Sequence, residues 1–509
     1  MKWLLFGQSL ALSLFCLSPS LLTAGELKLT VVDKDTKQPI PFRLHLKNQF
    51  GVSQVVPRLP YFKDHVVVPG TVNLNLRKGN YFFEIERGPE YLWQQGHFVM
   101  MDGAQDEKVV ELRRFIKMAD HGWYSGDLHV HRPVKDMELL MQADDLHVAP
   151  VITWWNKKNE WEKRLPEGDL VVKHDGNRFY HLMAGEDERG GGALLYLNMK
   201  QPLEIQQAQR EFPSSVEYAR QAKAQGDVHI DAEKPFWWDM PTWVALGLVD
   251  TIGVANNHMC RTSMLENEAW GRPRDAQRLR NPLGNGYYTQ EIYYHLLNCG
   301  LRLPPSAGSA SGVLPNPVGY NRVYAYVEGE FTYEKWFQAL RAGHTFVTNG
   351  PLMRPLVADQ LPGHTFTASQ GEQISLQPFL SLHTRDKIDY LEIIQDGKLA
   401  SSIRLDEYAK LQGKLPAVTF DRSGWFLIRL IAENTKTFRF ACTAPYYVNI
   451  GGHTRISRNS AQFFLTWVEE RIAAIEKTVK DPIQRQAALA PHLEAKKFWA
   501  DLVARANAE

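Results

Sequence analysis

The chain has 509 residues, an apolar share of 44% and a formal net charge of +1 from 58 basic and 57 acidic side chains. This length exceeds what one compact core supports and predicts about two to four domains. The balanced charge gives no reason to expect nucleic acid or an anionic membrane as a partner, and no interior apolar run approaches membrane-spanning length.

The first two dozen residues have the pattern of a secretory signal peptide. Lys2 precedes the apolar run WLLFGQSLALSLFCL, and the small-residue exit SPSLLTAGE follows. Cleavage after Ala24 predicts a protein exported to the periplasm or the exterior, and an uncleaved membrane anchor is the alternative. Removal of the signal peptide would leave three cysteines, Cys260, Cys299 and Cys442. An oxidising compartment permits one disulfide among them, for which Cys260 and Cys299 lie in the same region.

The next two segments differ in their periodicity. Residues 25–118 contain LKLTVV, FRLHLK, VNLNLR and YFFEIE, in which apolar and polar residues alternate. This alternation predicts an N-terminal β-sandwich. Residues 119–350 contain short apolar runs between helical stretches, of which EYARQAKAQ and YEKWFQALRAG are the clearest. Strands that alternate with helices predict an α/β domain with a mainly parallel sheet.

The last two segments are predicted to be a β domain and a helical tail. Within residues 351–452, LEIIQDGKLASS is typical of a hairpin that turns at Asp396. Residues 453–509 have helical periodicity. Ser460 is the expected N-cap of the first helix, and Pro482 is expected to end it.

The stretch GDLHVHR is the strongest chemical signal in the sequence. Because side chains alternate along an extended segment, His129 and His131 point to the same side. Two imidazoles on one side supply half of a coordination shell for zinc, iron or manganese. The alternative is a pair of structural histidines with satisfied hydrogen bonds.

Two further stretches offer carboxylates at predicted strand ends. AGEDERGGG contains Glu186, which can hold a metal ion or act as a base, whereas Asp187 and Glu188 fit a solvated turn. In GDVHIDAEKPFWWD, alternation along a strand places His229, Asp231 and Glu233 on the same side. A lone histidine is more often structural, but the two acids beside His229 favour a ligand. We therefore expect these residue types to converge at one edge of the sheet.

A third group of residues is suited to substrate. VDTIGVANNHMCR ends with Asn257 and His258, which can bind substrate, complete a metal shell or form a hydrogen-bonded loop. Trp155 and Trp238 can form aromatic walls of a small-molecule site or support the surrounding loops. Arg322 in NPVGYNRVY can hold an anionic group of the substrate, although a salt bridge is the commoner role.

The order GDLHVHR, AGEDERGGG, GDVHIDAEKPFWWD, LPPSAGSASG and NGP resembles the PHP (polymerase and histidinol phosphatase) superfamily, in particular its exported CehA/McbA-type metallohydrolases. The resemblance covers about residues 122–351. It implies a distorted (β/α)7 barrel, here flanked by the N-terminal β-sandwich and the C-terminal β domain. It also implies a metal cluster at the strand ends and hydrolysis of a phosphoester or carboxyl-type ester by metal-activated water.

The family motifs carry over only in part. His129 and His131 match the first motif, Glu186 the metal-bridging glutamate and His229 the later histidine, while Asp136 stands at the place of a third ligand. The usual Thr-Asp-His, Gly-His and Asp-x-His are replaced by Thr153-Trp154-Trp155, the Gly190 to Gly192 run and Ala310-Ser311-Gly312. With up to four ligands missing, one ion is expected rather than three.

The sequence thus predicts an exported metal-dependent hydrolase that acts on a small-molecule ester, phosphoester or related bond. Its metal ligands would be His129, His131, Glu186 and His229, and the ion zinc, with manganese or iron as alternatives. Asp231 or His258 would be a catalytic base or a further ligand, and the substrate-binding residues would be Trp155, Trp238, Asn257 and Arg322. The alternative is a non-catalytic protein that binds a carbohydrate or aromatic ligand on the same barrel.

Overall fold

The computed structural model describes residues 24–509, so the predicted signal peptide lies outside the described residues except for its last position. Within that range, none of the helices combines the length and the apolar character needed to cross a membrane. Eight strands come first: β1 Gly25–Asp33, β2 Phe42–Asn48, β3 Tyr61–Phe62, β4 His65–Val68, β5 Thr71–Leu76, β6 Gly79–Glu86, β7 Gln94–Met100 and β8 Gln105–Leu112.

These strands form two sheets that enclose a common core. One sheet has the order β5-β1-β8 and the other β3-β4-β2-β6-β7. The alternating sequence of β5 produces a strictly alternating burial, with Val72, Leu74 and Leu76 inside. These side chains pack with Val31 and Phe42 across the space between the sheets. The segment is therefore a β-sandwich built on period-two patterning.

The middle of the chain alternates strands and helices. Its elements are β9 Trp123–Gly126, α1 Met137–Ala143, β10 Val148–Trp155, β11 Lys158–Asn159, β12 Val171–His174, β13 Arg178–Arg189, β14 Gly192–Leu197, α2 Ser215–Lys223, β15 His229–Ala232, α3 Met240–Ala245, β16 Thr251–Ala255, α4 Gly284–Asn298, β17 Pro305–Ala307, β18 Arg322–Tyr326, α5 Tyr333–Ala342 and β19 Thr345–Thr348. The two helices predicted from EYARQAKAQ and YEKWFQALRAG are confirmed as α2 and α5. The chain is a mixed α/β protein, as predicted.

The strands of this segment form a sheet that closes on itself. Parallel pairs join β9 to β10, β10 to β13, β15 to β16 and β16 to β17, and antiparallel β14 lies between β13 and β15. Beyond β9, Leu128 N donates to Ala307 O and His131 N to Ser311 O, which joins the first strand to the last. The carboxyl ends of the parallel strands therefore meet at one edge of the barrel.

The C-terminal elements begin with strands. They are β20 Leu352–Val357, β21 Thr365–Ala368, β22 Ile374–Leu376, β23 Pro378–His383, β24 Ile388–Gln395, β25 Lys398–Arg404, α6 Leu405–Lys410, β26 Val418–Phe420, β27 Gly424–Ala432, β28 Phe440–Thr443, β29 Tyr446–Ile450, α7 Arg458–Thr478 and α8 Pro482–Ala504. The hairpin at Asp396 is confirmed, because β24 and β25 pair with Gln395 opposite Lys398. β28 pairs with β19, so the β domain continues the barrel sheet across the predicted boundary at 350.

The two C-terminal helices pack against the barrel. The N-cap of α7 is Ser457, whose side chain accepts from Ser460 N, which corrects the predicted cap by three residues. α8 begins at Pro482, as expected for a residue that is tolerated in the first helical turn. Both helices contact α3, and Arg471 Nε of α7 donates to Asp239 Oδ1 at 2.6 Å. The tail thereby braces the loop that precedes α3.

Cys260, Cys299 and Cys442 are all free and buried in the described structure. Cys260 Sγ donates to the carbonyl oxygen of Asn257 at 3.3 Å. Burial raises the pKa of this thiol to about 11. The disulfide considered for Cys260 and Cys299 is therefore not formed, and these cysteines fill the core.

We expect the protein to lose stability in mild acid because several buried histidines are held neutral. Burial lowers the pKa of His147 to about 3 and those of His181 and His492 to about 4. Each is protonated in the unfolded chain below pH 6.5, so stability present above that value is lost as the pH falls toward 4. The slope is about 1.4 kcal/mol per pH unit per histidine. Urea midpoints between pH 6.5 and 5.0 measure this loss, and His492→Asn should reduce the slope; an unchanged midpoint would contradict it.

Candidate metal centre

The structure brings His129, His131 and Glu186 together at the carboxyl edge of the barrel. His129 and His131 follow β9, and Glu186 lies in β13, where it is paired with Trp155 of β10. The two Nε2 atoms are 2.9 Å apart. Glu186 Oε2 lies 3.5 Å from His129 Nε2 and 3.1 Å from His131 Nε2. One ligand atom from each residue thus falls within a single small volume.

The spacing of these atoms fits one metal ion. Ligands bound at about 2.0–2.1 Å from a zinc ion lie about 3.0–3.4 Å from one another, depending on the angle. Glu186 Oε2 is buried, and although it lies close to both imidazole nitrogens, neither contact has hydrogen-bond geometry in the described part of the chain. A buried carboxylate oxygen without a donor is costly, and a cation between the imidazoles and Glu186 would satisfy it. The residues present therefore fit a divalent ion.

The lead-in Gly126-Asp127 holds the first ligand in place. The buried Asp127 carboxylate accepts from three backbone N–H groups, those of His129 at 3.1 Å, Ser309 at 3.0 Å and Gly319 at 2.7 Å. A Cβ on Gly308 would lie 2.5 Å from the Cβ of His129, so only glycine allows this approach. The motifs GDLHVHR and LPPSAGSASG therefore act together to fix one imidazole.

Two carboxylates, those of Glu186 and Glu233, lie beside the imidazole of His129. Burial alone would lower the pKa of this imidazole, but the carboxylates of Glu186 and Glu233 raise it to about 10. The imidazoles in turn hold the pKa of Glu186 well below its usual range, against the effect of burial. The carboxylates therefore favour a positive charge at this place, which a proton on His129 or a metal ion that displaces it could supply.

Glu233 completes the group in place of His229. Its Oε1 lies 3.4 Å from His129 Nδ1, and its other contacts are the ammonium of Lys234 and Trp237 Nε1, which donates to Oε2 at 3.0 Å. Glu233 thus faces the second ring nitrogen of His129, a position from which carboxylates often orient metal-bound histidines. Lys234 neutralises this carboxylate, so Glu233 is an outer partner of the site.

His229 lies at the other end of the same strand. It begins β15, and Glu233 is four residue steps further along the chain, a distance of about 13 Å in an extended strand. Its Nε2 lies 2.8 Å from Thr251 Oγ1, and Thr251 donates to Asp231 Oδ1. The structure therefore does not bring His229, expected as a metal ligand, to the group formed by His129, His131 and Glu186. The alternation of side chains predicts that His229, Asp231 and Glu233 share one face of the strand. It does not predict how far along the strand each lies from the ligand group.

Asp231 and His258 occupy buried positions near the group. Asp231 Oδ1 accepts from the hydroxyls of Thr251 and Ser306, and burial raises its pKa to about 7. His258 Nδ1 lies 2.9 Å from Asn267 O, and its ring packs 5.3 Å from that of Phe236. Both side chains are held by neutral partners, so neither is aimed at the group by a direct hydrogen bond to His129, His131 or Glu186 in the described structure.

The predicted substrate residues divide between two places. The ring of Trp155 lies 4.9 Å from that of His131, and its Nε1 donates to Glu188 Oε2 at 3.2 Å. Trp238 is partly buried against the main core, and Asn257 is buried with its side-chain Oδ1 unpartnered among the described residues. Arg322 Nε instead donates to Gly319 O, and Arg322 lines a separate cavity. Glu188, for which a solvated turn was expected, is partly buried and accepts this bond from Trp155.

A second group of potential ligands lies in the sandwich. Asp64 Oδ1 lies 3.0 Å from His65 Nδ1, and Asp64 Oδ2 lies 3.3 Å from His45 Nδ1. Arg43 Nε donates to His45 Nε2 at 3.2 Å. His45 Nδ1 and His65 Nε2 are nevertheless buried without a hydrogen-bond partner in the described structure. This second group could therefore also hold a metal ion.

Comparison with known proteins finds no matching family model and no matching curated protein. Among solved structures, the group B streptococcus pilus 2b backbone protein matches 19% of this chain and 43% of its own, at 17% identity and TM-score 0.16. The Bacillus anthracis TIE protein matches 22% and 20%, at 19% identity and TM-score 0.15. Fibronectin(III)-like modules of Clostridium thermocellum CbhA match 19% and 96%, at 12% identity and TM-score 0.13. The chain spans less than half of the first two structures.

Proposed function

We propose that the chain is an exported metal-dependent hydrolase with a PHP-type barrel and one divalent ion, preferentially zinc. The observation that carries the proposal is the convergence of His129, His131 and Glu186, with the buried Glu186 Oε2 left without a donor in the described structure. Two imidazoles and a carboxylate with room for further ligands are typical of catalytic rather than structural zinc sites. The partial match to PHP motifs supports the same assignment.

The chemistry proposed is addition of water to a carboxyl or phosphoryl ester, giving the acid and the alcohol. A bound divalent ion would polarise the ester and make water a better nucleophile at neutral pH. Glu233 would keep His129 oriented through Nδ1. Asp231 is hydrogen-bonded through Thr251 and Ser306 and holds the floor of the site in place. Trp155 shields one side of His131 from bulk water.

An open groove next to Glu188 provides the proposed route for the substrate. It has a volume of about 360 Å³, within the usual range of small-molecule sites. Lys157 and Arg210 lie on its rim, and Trp270, which is 41% exposed, forms an aromatic wall. Glu188 contacts Trp155, which links this groove to the ligand group. These features favour an anionic small molecule with an apolar or aromatic body.

Hydrolysis of p-nitrophenyl acetate and bis(p-nitrophenyl) phosphate by protein loaded with zinc or manganese tests the proposal. We expect Glu186→Gln to lower kcat/KM by about a hundredfold or more, because it replaces an anionic ligand with a neutral one. Glu167→Gln, the same change on an exposed side chain, should leave kcat/KM unchanged. Activity that survives both Glu186→Gln and a chelator would overturn the hydrolase assignment.

The alternative is a non-catalytic protein that binds a carbohydrate or aromatic ligand, and the exposed Trp270 in the groove favours it. Under this alternative, an aromatic carboxylate such as benzoate or a simple sugar quenches tryptophan fluorescence equally with and without chelator. In that case Trp270→Ala should abolish the quenching, while Glu186→Gln should not change it. Turnover of either ester together with bound metal decides for the enzyme.

A further inference from the structure

A cavity at the junction of the sandwich, the barrel and the C-terminal β domain is lined by an unusual number of cations. Its lining includes five arginines: Arg43, Arg261, Arg322, Arg385 and Arg439. The side chains of Arg43, Arg385 and Arg439 are each less than a tenth exposed, and Arg322 is 2% exposed as a whole residue. The side chain of Arg261 is 12% exposed. They come from β2, the loop after β16, β18, the loop after β23 and the segment before β28. No short stretch of sequence places them together.

Two of the arginines are fully compensated by carboxylates. Arg43 pairs with Glu86 and Asp144, and Arg261 pairs with Glu84 and with Glu86 at 2.6 Å. Three acids are thus shared between two guanidinium groups. Buried pairs of this kind are stable only when each charge is matched.

The other three arginines have fewer anionic partners. Arg439 pairs with Asp386 at 2.9 Å. Arg385 reaches Glu86 only at 3.6 Å, and its Nη1 donates to the carbonyl oxygens of Gly88 and Tyr91. Arg322 donates to two carbonyl oxygens, those of Gly319 and Asp144.

The carboxylates among these partners are Glu84, Glu86, Asp144 and Asp386. Five guanidinium groups against these four carboxylates leave one positive charge in excess at the cavity. The excess is desolvated, since burial lowers the pKa of Arg385 to about 10.

Four buried donors on residues that line the cavity have no hydrogen-bond partner in the described structure: Arg322 Nη1, Tyr320 Oη, Arg385 Nε and Arg439 Nε, the last of which faces Asp386 only as an ion pair. Arg322 and Tyr320 are only 2% and 9% exposed. Buried donors are satisfied in nearly all native structures, so an acceptor from outside the chain is required here.

The size of the cavity restricts that acceptor. Its volume is about 20 Å³, whereas one water needs about 10–15 Å³. A monatomic halide fits this space, and as a pure acceptor it suits a cavity whose unpartnered groups are donors. We propose that the cavity binds one chloride ion, held by Arg322 and Tyr320 and balanced by the excess arginine charge.

The proposed ion would join three parts of the chain. Arg43 belongs to the sandwich, Arg322 to β18 of the barrel, and Arg385 and Arg439 to the C-terminal β domain. An anion that binds only when these parts are assembled stabilises the assembled state in proportion to the logarithm of its concentration. The site is independent of the proposed hydrolase activity.

Thermal unfolding of the full chain in sodium chloride, sodium bromide, sodium sulfate and sodium gluconate at equal ionic strength tests the proposal. We expect the midpoint to rise by about 3 °C or more, with saturation, in chloride and bromide but not in sulfate or gluconate. Tyr320→Phe removes one donor and keeps the ring, and should raise the half-saturating chloride concentration about fivefold or more. Tyr446→Phe removes another buried, unpartnered hydroxyl outside the cavity and should not.

A bromide-soaked crystal locates the ion directly. An anomalous peak within hydrogen-bond distance of Arg322 Nη1 and Tyr320 Oη is the expected result. An equal response to all four salts, or a cavity without bromide, would overturn the proposal and identify the acceptor as water. A midpoint rise that Tyr320→Phe leaves unchanged would equally count against this cavity.

Discussion

The double replacement of His129 and His131 by alanine should remove the bound metal almost completely. We expect about one equivalent of zinc or manganese in the purified protein after loading, and less than a tenth of an equivalent in the variant. The physical reason is that both Nε2 atoms and Glu186 Oε2 share one small volume, so the loss of two ligands leaves a single carboxylate. Elemental analysis of dialysed protein measures this directly.

A matched control separates loss of ligands from loss of folding. His229→Gln replaces another fully buried histidine and preserves a donor or acceptor near Thr251, which lies 2.8 Å from His229 Nε2. This variant should keep its metal, because His229 lies at the opposite end of β15. If His229→Gln lost the ion and the double variant kept it, the site described here would be refuted.

The second large effect is expected from Gly185→Ala, one residue before Glu186. A Cβ at this position would lie 1.8 Å from Cε2 of Trp154, whose buried ring stacks on Tyr196. Neither ring can move away without displacing the core, so we expect the free energy of unfolding to fall by about 3 kcal/mol. Displacement of the neighbouring Glu186 should also weaken metal binding by about tenfold. Urea unfolding and metal titration measure the two effects.

A double-mutant cycle identifies the clash as the cause. In a Trp154→Leu background the indole atoms nearest to residue 185 are gone, and Gly185→Ala should then cost less than about 1 kcal/mol. An equal cost in both backgrounds would show that Trp154 is not the obstacle and that the backbone of β13 requires glycine for another reason.

Local patterns in the sequence were sufficient for the elements and for part of the site. The hairpin at Asp396 and helices α2 and α5 follow from turn chemistry and helical periodicity, which depend on near neighbours. His129 and His131 are two residues apart, so alternation alone puts them on one side. Glu186 could be placed with them because carboxyl ends of parallel strands share an edge.

The remainder depends on long-range register. Whether His229 or Glu233 reaches the ligand group is decided by how far β15 is shifted against its neighbours, with Asp231 opposite Leu195 of β14. No local pattern encodes that shift. Arg322 was expected to contact substrate, but its environment is created by segments of the sandwich and the C-terminal domain that are far apart in sequence.

The ion pair between Arg471 and Asp239 joins a late part of the chain to the loop beside the candidate metal ligands, so this loop depends on residues that are synthesised long after it. Asp239 is buried in the loop that begins at Glu233 and Lys234, and Arg471 in α7 is its closest counter-charge. A ribosome that has produced β19 still has to add more than a hundred residues before this arginine exists. The loop beside the candidate metal ligands therefore gains this counter-charge only after the C-terminal helices have been made.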